Sequence, residues 1–128
     1  TLADGQDAED LKVFITAYKP STANIKLYVK LLNGEDGESI DDRTWLELTQ
    51  TTSSTVVSDS ENRDDFREFE YGIPTASLTG AGGQVQYTTS AGVTYTGFKY
   101  FKIKAVLLST SSSIVPRVTD FRAIALQI

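Results

Sequence analysis

Residues 11–32 read LKVFITAYKPSTANIKLYVKLL, and this stretch decides the fold class. Apolar and polar side chains alternate in residues 11–18 and again in residues 24–32, with Pro20 and Ser21 between the two runs. A period of two sustained over about eight residues is typical of a β-strand that buries one face. The side chains expected in the core are Leu11, Val13, Ile15 and Ala17 in the first run and Ile25, Leu27, Val29 and Leu31 in the second.

Further strand signals follow at short spacing along the chain. Strands are predicted at residues 45–49, 55–58, 66–73, 85–87, 93–95, 98–108 and 117–126. Phe69, Tyr71 and Ile73 share a face of one strand, and residues 85–95 have the pattern of a hairpin. Core positions are also expected at Phe101, Ile103, Ala105 and Leu107. About eight short strands, rich in β-branched and aromatic residues, favour an antiparallel sandwich or barrel.

Residues 117–126 differ from the other strands because both of their faces carry apolar side chains. One face presents Val118, Ile124 and Leu126, and the other presents Phe121, Ala123 and Ala125. A strand that is apolar on both faces is typical of the covered centre of a sheet. The pattern therefore predicts a central position for this last strand.

The chain has 128 residues, with a single Trp and no Cys, His or Met. The length fits one domain, and we expect residues 1–10 to form an acidic linker or arm and residues 11–128 a single β-domain. Without His or Cys, a Ser-His triad, a thiolate nucleophile and an ordinary zinc site are excluded. We expect no enzyme activity, no cofactor and no metal. The remaining enzyme alternative is an acid–base pair such as Asp64 and Glu68.

The net charge of −5 is unevenly distributed. Residues 71–128 contain one acid, Asp120, and five basic residues, whereas all other acids lie in residues 1–70. Opposed halves can pack on copies of the chain or on a partner, and they can equally pair within the fold. An acidic chain without a basic stripe is not expected to bind nucleic acid. No membrane association is expected either, because no run approaches the roughly 18 apolar residues of a span.

Asp41, Asp42, Arg43 and Trp45 form the candidate binding site. An exposed aromatic ring can stack on a sugar face while acids nearby hold its hydroxyls. Further aromatic residues that could line such a platform are Tyr28, Tyr87, Tyr95 and Tyr100.

The same four residues also have a structural interpretation. One Asp would cap backbone N–H groups, Arg43 would pair with an acid, and Trp45 would belong to the core. Calcium binding by the two acids is a third interpretation.

Several stretches together resemble a known group of proteins. They are NIKLYVK at residues 24–30, DDRTWLEL at 41–48, FKYFKIKAVLLST at 98–110 and IVPRVTDFRAIAL at 114–126. They resemble the C-terminal domains of large virion structural proteins of contractile-tailed bacteriophages, notably those that infect cyanobacteria. More distantly, the strand–loop–Pro–strand ending is similar to that of galactose-binding-like jelly rolls.

The resemblance covers residues 11–128 and implies an all-β fold, an antiparallel β-sandwich of jelly-roll type. It implies a structural module of the phage tail or baseplate, located in the virion, whose partners are other tail or baseplate proteins and copies of itself. The alternative is a carbohydrate- or receptor-binding module of a tail protein that uses the candidate residues around Trp45 on a host-surface glycan.

Overall fold

Nine β-strands make up most of the regular structure of the computed structural model, which describes residues 8–52, 57–59, 62, 64–110 and 115–126. The strands are β1 (Asp10–Tyr18), β2 (Ala23–Leu32), β3 (Leu46–Glu47), β4 (Thr49–Gln50), β5 (Arg67–Gly72), β6 (Gln86–Thr88), β7 (Thr94–Thr96), β8 (Tyr100–Ser109) and β9 (Arg117–Leu126). Three short 3₁₀ turns, Ile40–Asp42, Thr75–Ser77 and Ala81–Gly83, lie between them. The described residues include no α-helix, and none of their helical segments has the length and apolarity to cross a membrane.

The strands form two main sheets that share one core. One sheet has the order β4-β5-β1-β9, the other has the order β3-β2-β8, and β6 and β7 form a separate hairpin. All pairs of named strands are antiparallel. Buried side chains of β1 and β5 from the first sheet and of β2 from the second belong to one apolar cluster. The predicted antiparallel β-sandwich is therefore confirmed.

Two pairs of long strands, β1 with β9 and β2 with β8, continue into each other where the chain passes from one sheet to the other. Along one sheet β1 pairs with β9 from Asp10–Leu126 to Tyr18–Arg117, and along the other β2 pairs with β8 from Ala23–Ser109 to Leu32–Tyr100. At the crossing the Thr110 backbone N–H donates to the Thr22 carbonyl at 3.0 Å. The chain segments β1–β2 and β8–β9 are therefore paired antiparallel in both sheets.

The predicted core faces of β1, β2 and β5 are confirmed. Every core position expected in residues 11–18 and 24–32 is buried, and so are Phe69, Tyr71 and Ile73. The outward side chains Lys12 and Asn24 are exposed, as alternation requires. The register pairs Val13 with Tyr71 and Ile15 with Phe69, so both strands present their apolar side chains to the same face.

The predicted strand at residues 45–49 is wrong in one respect, because it is two strands in different sheets. β3 pairs with β2, whereas β4 pairs with β5. Between them Leu48 is buried, and its N–H donates to the Leu27 carbonyl at 2.8 Å. Alternation is continuous through a crossing of this kind, so the sequence does not reveal where the chain changes sheets.

The central position predicted for residues 117–126 is also wrong. β9 pairs with β1 on one side and forms the edge of its sheet. Similarly, Leu107 faces the core side by its register with Ile25, yet it is 47% exposed, and Ala105 is exposed as well. An apolar pattern indicates which faces of a strand favour burial, but it does not show whether another strand of the fold covers them.

The hairpin predicted at residues 85–95 is confirmed as β6 and β7. Its turn closes with a bond from the Thr89 N–H to the Val93 carbonyl, 2.8 Å long, and Gly92 adopts a φ of 85°. That left-handed conformation favours glycine.

Two predictions fall partly on undescribed residues. Of the strand expected at 55–58, only 57 and 58 are described, and the Ser58 N–H donates to the Lys19 carbonyl at 2.9 Å. Of the acidic linker expected at residues 1–10, only 8–10 are described. Ala8 is buried and pairs with Phe98 through two backbone bonds, both 2.9 Å long.

The two sheets are joined by the Tyr71 hydroxyl on β5, which donates to the Ile25 carbonyl of β2 at 2.8 Å. Burial raises the pKa of Tyr71 to about 12. We expect Y71F to lower the free energy of unfolding by about 1 kcal/mol near neutral pH, because a buried neutral hydrogen bond is lost. Urea unfolding followed by circular dichroism measures this, with Y95F on the hairpin as the control.

The pH dependence of stability tests the same group. Because the pKa of Tyr71 is higher in the folded than in the unfolded chain, its contribution is present below pH 10 and is lost as pH rises from about 10 to 12. Y71F should therefore lose stability less steeply than the parent in that range. Equal slopes for the two proteins would contradict the assignment.

Candidate functional site

The loop after β2 is anchored to the β6–β7 hairpin. The Asn33 side-chain amide donates to the Thr96 carbonyl at 2.7 Å, and the Asn33 N–H donates to the Tyr87 hydroxyl at 2.9 Å. That hydroxyl in turn donates to Asp36 Oδ2 at 2.7 Å. Burial, and the Asp36 carboxylate beside the hydroxyl, raise the pKa of Tyr87. These bonds fix Tyr87 next to the segment that carries the candidate residues.

The Arg43 guanidinium lies over the Tyr87 ring. Its guanidinium carbon is 3.8 Å from the ring centre, and its Nε donates to the Leu31 carbonyl at 3.1 Å. A guanidinium stacked on an aromatic face is held in one plane and keeps other N–H groups available. The structural interpretation expected Arg43 to pair with an acid, whereas its described partners are a ring and a carbonyl.

Trp45 lies half-buried on the outer face of the three-stranded sheet and outside the core cluster. The ammonium groups of Lys30 and Lys104 are 4.9 and 4.5 Å from its ring centre. Lys104 is also 5.1 Å from the Tyr28 ring. The core interpretation of Trp45 is therefore wrong, because its ring packs against lysine side chains on the solvent side of β2 and β8.

Asp41 is held by two lysines of the same sheet face. Its carboxylate forms an ion pair with Lys102, and its carbonyl accepts a bond from Lys30 Nζ at 2.9 Å. The Lys102 hydrogen bond is the main reason that the pKa of Asp41 lies below its usual value. The turn itself is capped by the Ser39 hydroxyl, which accepts from the Asp41 N–H at 3.3 Å, and not by an Asp as expected.

Arg43, Trp45 and Tyr87 line one pocket of about 140 Å³. Buried Leu31 and Val85 also line it, and the remaining lining residues are Thr44, Leu46, Ser77 and Gln86. Pockets for drug-sized ligands measure roughly 300–1,000 Å³. This recess therefore suits a group the size of one sugar residue or one side chain.

The structure brings together part of the predicted site. Arg43 and Trp45 share the pocket, Asp41 lies among lysines beside it, and Asp42 is exposed on the 3₁₀ turn without lining the pocket. Of the predicted aromatic platform, Tyr87 lines the pocket, and Tyr95 packs on Tyr87 with ring centres 5.6 Å apart.

Three lysines next to the site were not singled out by the sequence. Lys30, Lys102 and Lys104 surround Trp45 and Asp41 because β2 pairs with β8 in the register Lys30–Lys102. Their alternation marked them as outward residues, but the pairing that clusters them is not local.

The two acids of the enzyme alternative, Asp64 and Glu68, are both exposed. Glu68 pairs with Arg122 at 3.6 Å, and Asp64 lies exposed in the preceding loop. Within the described residues no group of three acidic residues is arranged to hold a metal ion.

A second surface is formed by the open flank, which we define as the outer edges of β8 and β9 and the apolar side chains next to them. Among the described residues no strand pairs with either edge. Each edge strand is ten residues long. Five large apolar side chains on or beside these strands are 40–47% exposed: Leu107, Leu108, Val115, Phe121 and Ile124. Val93, on the hairpin, is 45% exposed.

Ion pairs between the acidic and basic halves form within the fold. Lys102 pairs with Asp41, and Arg122 pairs with Glu68. The charge asymmetry is therefore at least partly compensated inside one chain, as one of the two interpretations expected.

Comparison with known proteins gives no match: no family model, no curated protein and no solved structure is similar enough to this chain to report.

The position of Trp45 on an outer face predicts the effect of removing it. We expect W45A to remain folded and to lose about 2 kcal/mol, less than the roughly 3–5 kcal/mol that truncation of a fully buried ring costs, because Trp45 is only partly buried. Urea unfolding with circular dichroism measures the loss. L27A, which empties a fully buried site, should cost about 2–5 kcal/mol. Equal losses in W45A and L27A would show that Trp45 supports the core.

Proposed function

We propose that this chain is a non-enzymatic structural module of a phage tail or baseplate, located in the virion, that acts through protein–protein surfaces. The observation that supports this most is the open flank, where two long strands present edges that no other described strand pairs with, together with neighbouring apolar side chains. The resemblance of residues 11–128 to tail proteins supplies the biological setting.

The physical reason is that an exposed edge strand leaves backbone N–H and C=O groups without strand partners, which favours association with another chain. An exposed, long, apolar edge strand is a template for another chain, so monomeric proteins usually shorten, charge or cover it. Here β8 and β9 are among the longest strands, and Leu107 and Phe121 remain nearly half exposed on the core side. A partner that adds a strand or packs on this flank would complete both the hydrogen bonds and the apolar burial.

The basic residues of β8 and β9 give this surface a positive charge that affects which partner it binds. Lys102, Arg117 and Arg122 lie exposed along these strands, with Asp120 as the acid of β9. In one chain Lys102 pairs with Asp41 and Arg122 pairs with Glu68. Because both ion pairs are exposed and weak, an acidic group of another tail protein or of a second copy can replace Asp41 or Glu68 at the flank.

Substitutions on the flank test the proposal in particles. We expect L107K and F121K each to reduce incorporation of the chain into particles by about tenfold or more, because a lysine would be buried without a partner. Mass spectrometry of purified particles measures the copy number. V93K is the matched control, since Val93 is equally exposed but lies on the hairpin. Normal incorporation of both flank variants would contradict the proposal.

A second candidate function is carbohydrate or receptor binding, and the pocket of Arg43, Trp45 and Tyr87 favours it. The half-buried indole and the planar guanidinium combine an apolar face with hydrogen-bond donors, which is the pairing that sugars require. In this function Asp41 would hold the neighbouring lysines in position, and Asp42 would not contact the ligand.

Binding is directly measurable because Trp45 is the only tryptophan. If the pocket binds glycans, titration with host-surface oligosaccharides should change the Trp fluorescence, and R43A should weaken binding by about tenfold or more. K12A, on the outer face of the other sheet, is the control. No fluorescence change with any oligosaccharide, together with a blank glycan array, would remove this candidate.

A further inference from the structure

The amide of Phe121 on β9 points to the open edge. Its N–H donates at 2.9 Å to Oδ1 of the preceding residue, Asp120, and so is occupied by a side chain. Amides alternate in direction along a strand, so the N–H of Ala123 also points to this edge. β9 therefore offers a regular row of backbone groups on the side away from β1.

The charges on either side of Phe121 are opposite. Asp120 and Arg122 both project to the outer face of the sheet, as their registers with Thr16 and Phe14 show. In an antiparallel pair of two β9 strands centred on Phe121, Asp120 of one copy lies opposite Arg122 of the other, twice. Opposite charges in direct cross-strand positions stabilise a pair, whereas like charges destabilise it.

We propose that β9 pairs antiparallel with β9 of a second copy of this chain, about a twofold axis through Phe121. The inference rests on the proposed assembly function and names its partner. The two four-stranded sheets would join into one sheet of eight strands. The Phe121 rings, 44% exposed in one chain, would meet on the core side of the joined sheet.

The contacts of Arg122 and Asp120 that are lost when two β9 strands pair are weak. In the single chain Arg122 pairs with Glu68 at 3.6 Å and lies 5.1 Å from the Phe14 ring centre, and both side chains of the ion pair are more than half exposed. Exposed pairs of this kind contribute little to stability. The bond of Asp120 to the Phe121 amide is replaced by a backbone bond to the second copy.

The self-complementary charge order is what favours a second copy over an unrelated protein. A two-fold pair of identical strands requires each residue and its opposite to be compatible with each other. Asp120-Phe121-Arg122 meets that requirement in this register. Asp120 could instead protect the edge from pairing, as charged residues on edge strands often do, and this predicts a monomer.

Charge reversal distinguishes pairing of two β9 strands from protection of the edge by Asp120. Sedimentation equilibrium of the full chain should show a dimer, and D120R and R122D should each weaken dimerisation by about tenfold or more, since each places like charges opposite one another twice. An equimolar mixture of D120R and R122D should dimerise again, because the mixed pair restores both attractions. The double variant D120R/R122D should dimerise on its own for the same reason.

Disulfide cross-linking tests whether the twofold axis of the dimer passes through Phe121. Because the chain has no cysteine, F121C carries a single thiol, and directly opposed residues of an antiparallel pair are within disulfide range. We expect F121C to form a covalent dimer under mild oxidation much faster than V93C, whose position is equally exposed. Circular dichroism confirms that both variants are folded.

A chain that stays monomeric at all concentrations, or a mixture of D120R and R122D that fails to associate, would overturn the pairing of β9. F121C and V93C cross-linking at equal rates would do the same. These results would leave the assembly function standing if F121K still failed to enter particles, because the flank would then be covered by a different protein.

Discussion

The structure depends on the facing apolar stripes of β1 and β2. These strands are neighbours in the chain, yet they lie in opposite sheets, with Val13 and Ile15 on one side of the core and Leu27 and Val29 on the other. The connection between them is short, so the chain must turn from one sheet into the other within residues 19–22. Burial of these side chains at roughly 25 cal/mol per Å² is the main favourable term that offsets the entropy of ordering both sheets.

Because β1 and β2 are inner strands of their sheets, their neighbours on each side determine which strands lie at the edges. β9 pairs with β1 and β8 pairs with β2, so each of them is the last described strand on one side of its sheet. The other side of β1 is covered by β5, and that of β2 by β3. The open flank is thus a consequence of strand order. Within the described part of the chain no further strand covers Leu107 and Phe121, which are 47% and 44% exposed, and this is why we assign function to a surface.

The sequence predicted the elements whose evidence is local. Alternation located β1, β2 and β5 with the correct faces, and the hairpin followed from its turn residues. It failed where a feature depends on distant pairing: the change of sheet at Leu48, and the edge position of β9. For the candidate site, it selected Arg43 and Trp45 by residue type, but it did not find the lysines that surround Trp45. Those lysines come together only through the register of β2 with β8.

The most direct test of the account is the position of this chain in an intact particle, determined by electron cryo-microscopy at a resolution that shows side chains. The account predicts density from a neighbouring protein or a second copy along the outer edges of β8 and β9, with Leu107 and Phe121 buried. A particle in which this flank faces solvent while the Trp45 pocket contacts a receptor would contradict it and would make host-surface binding the better explanation.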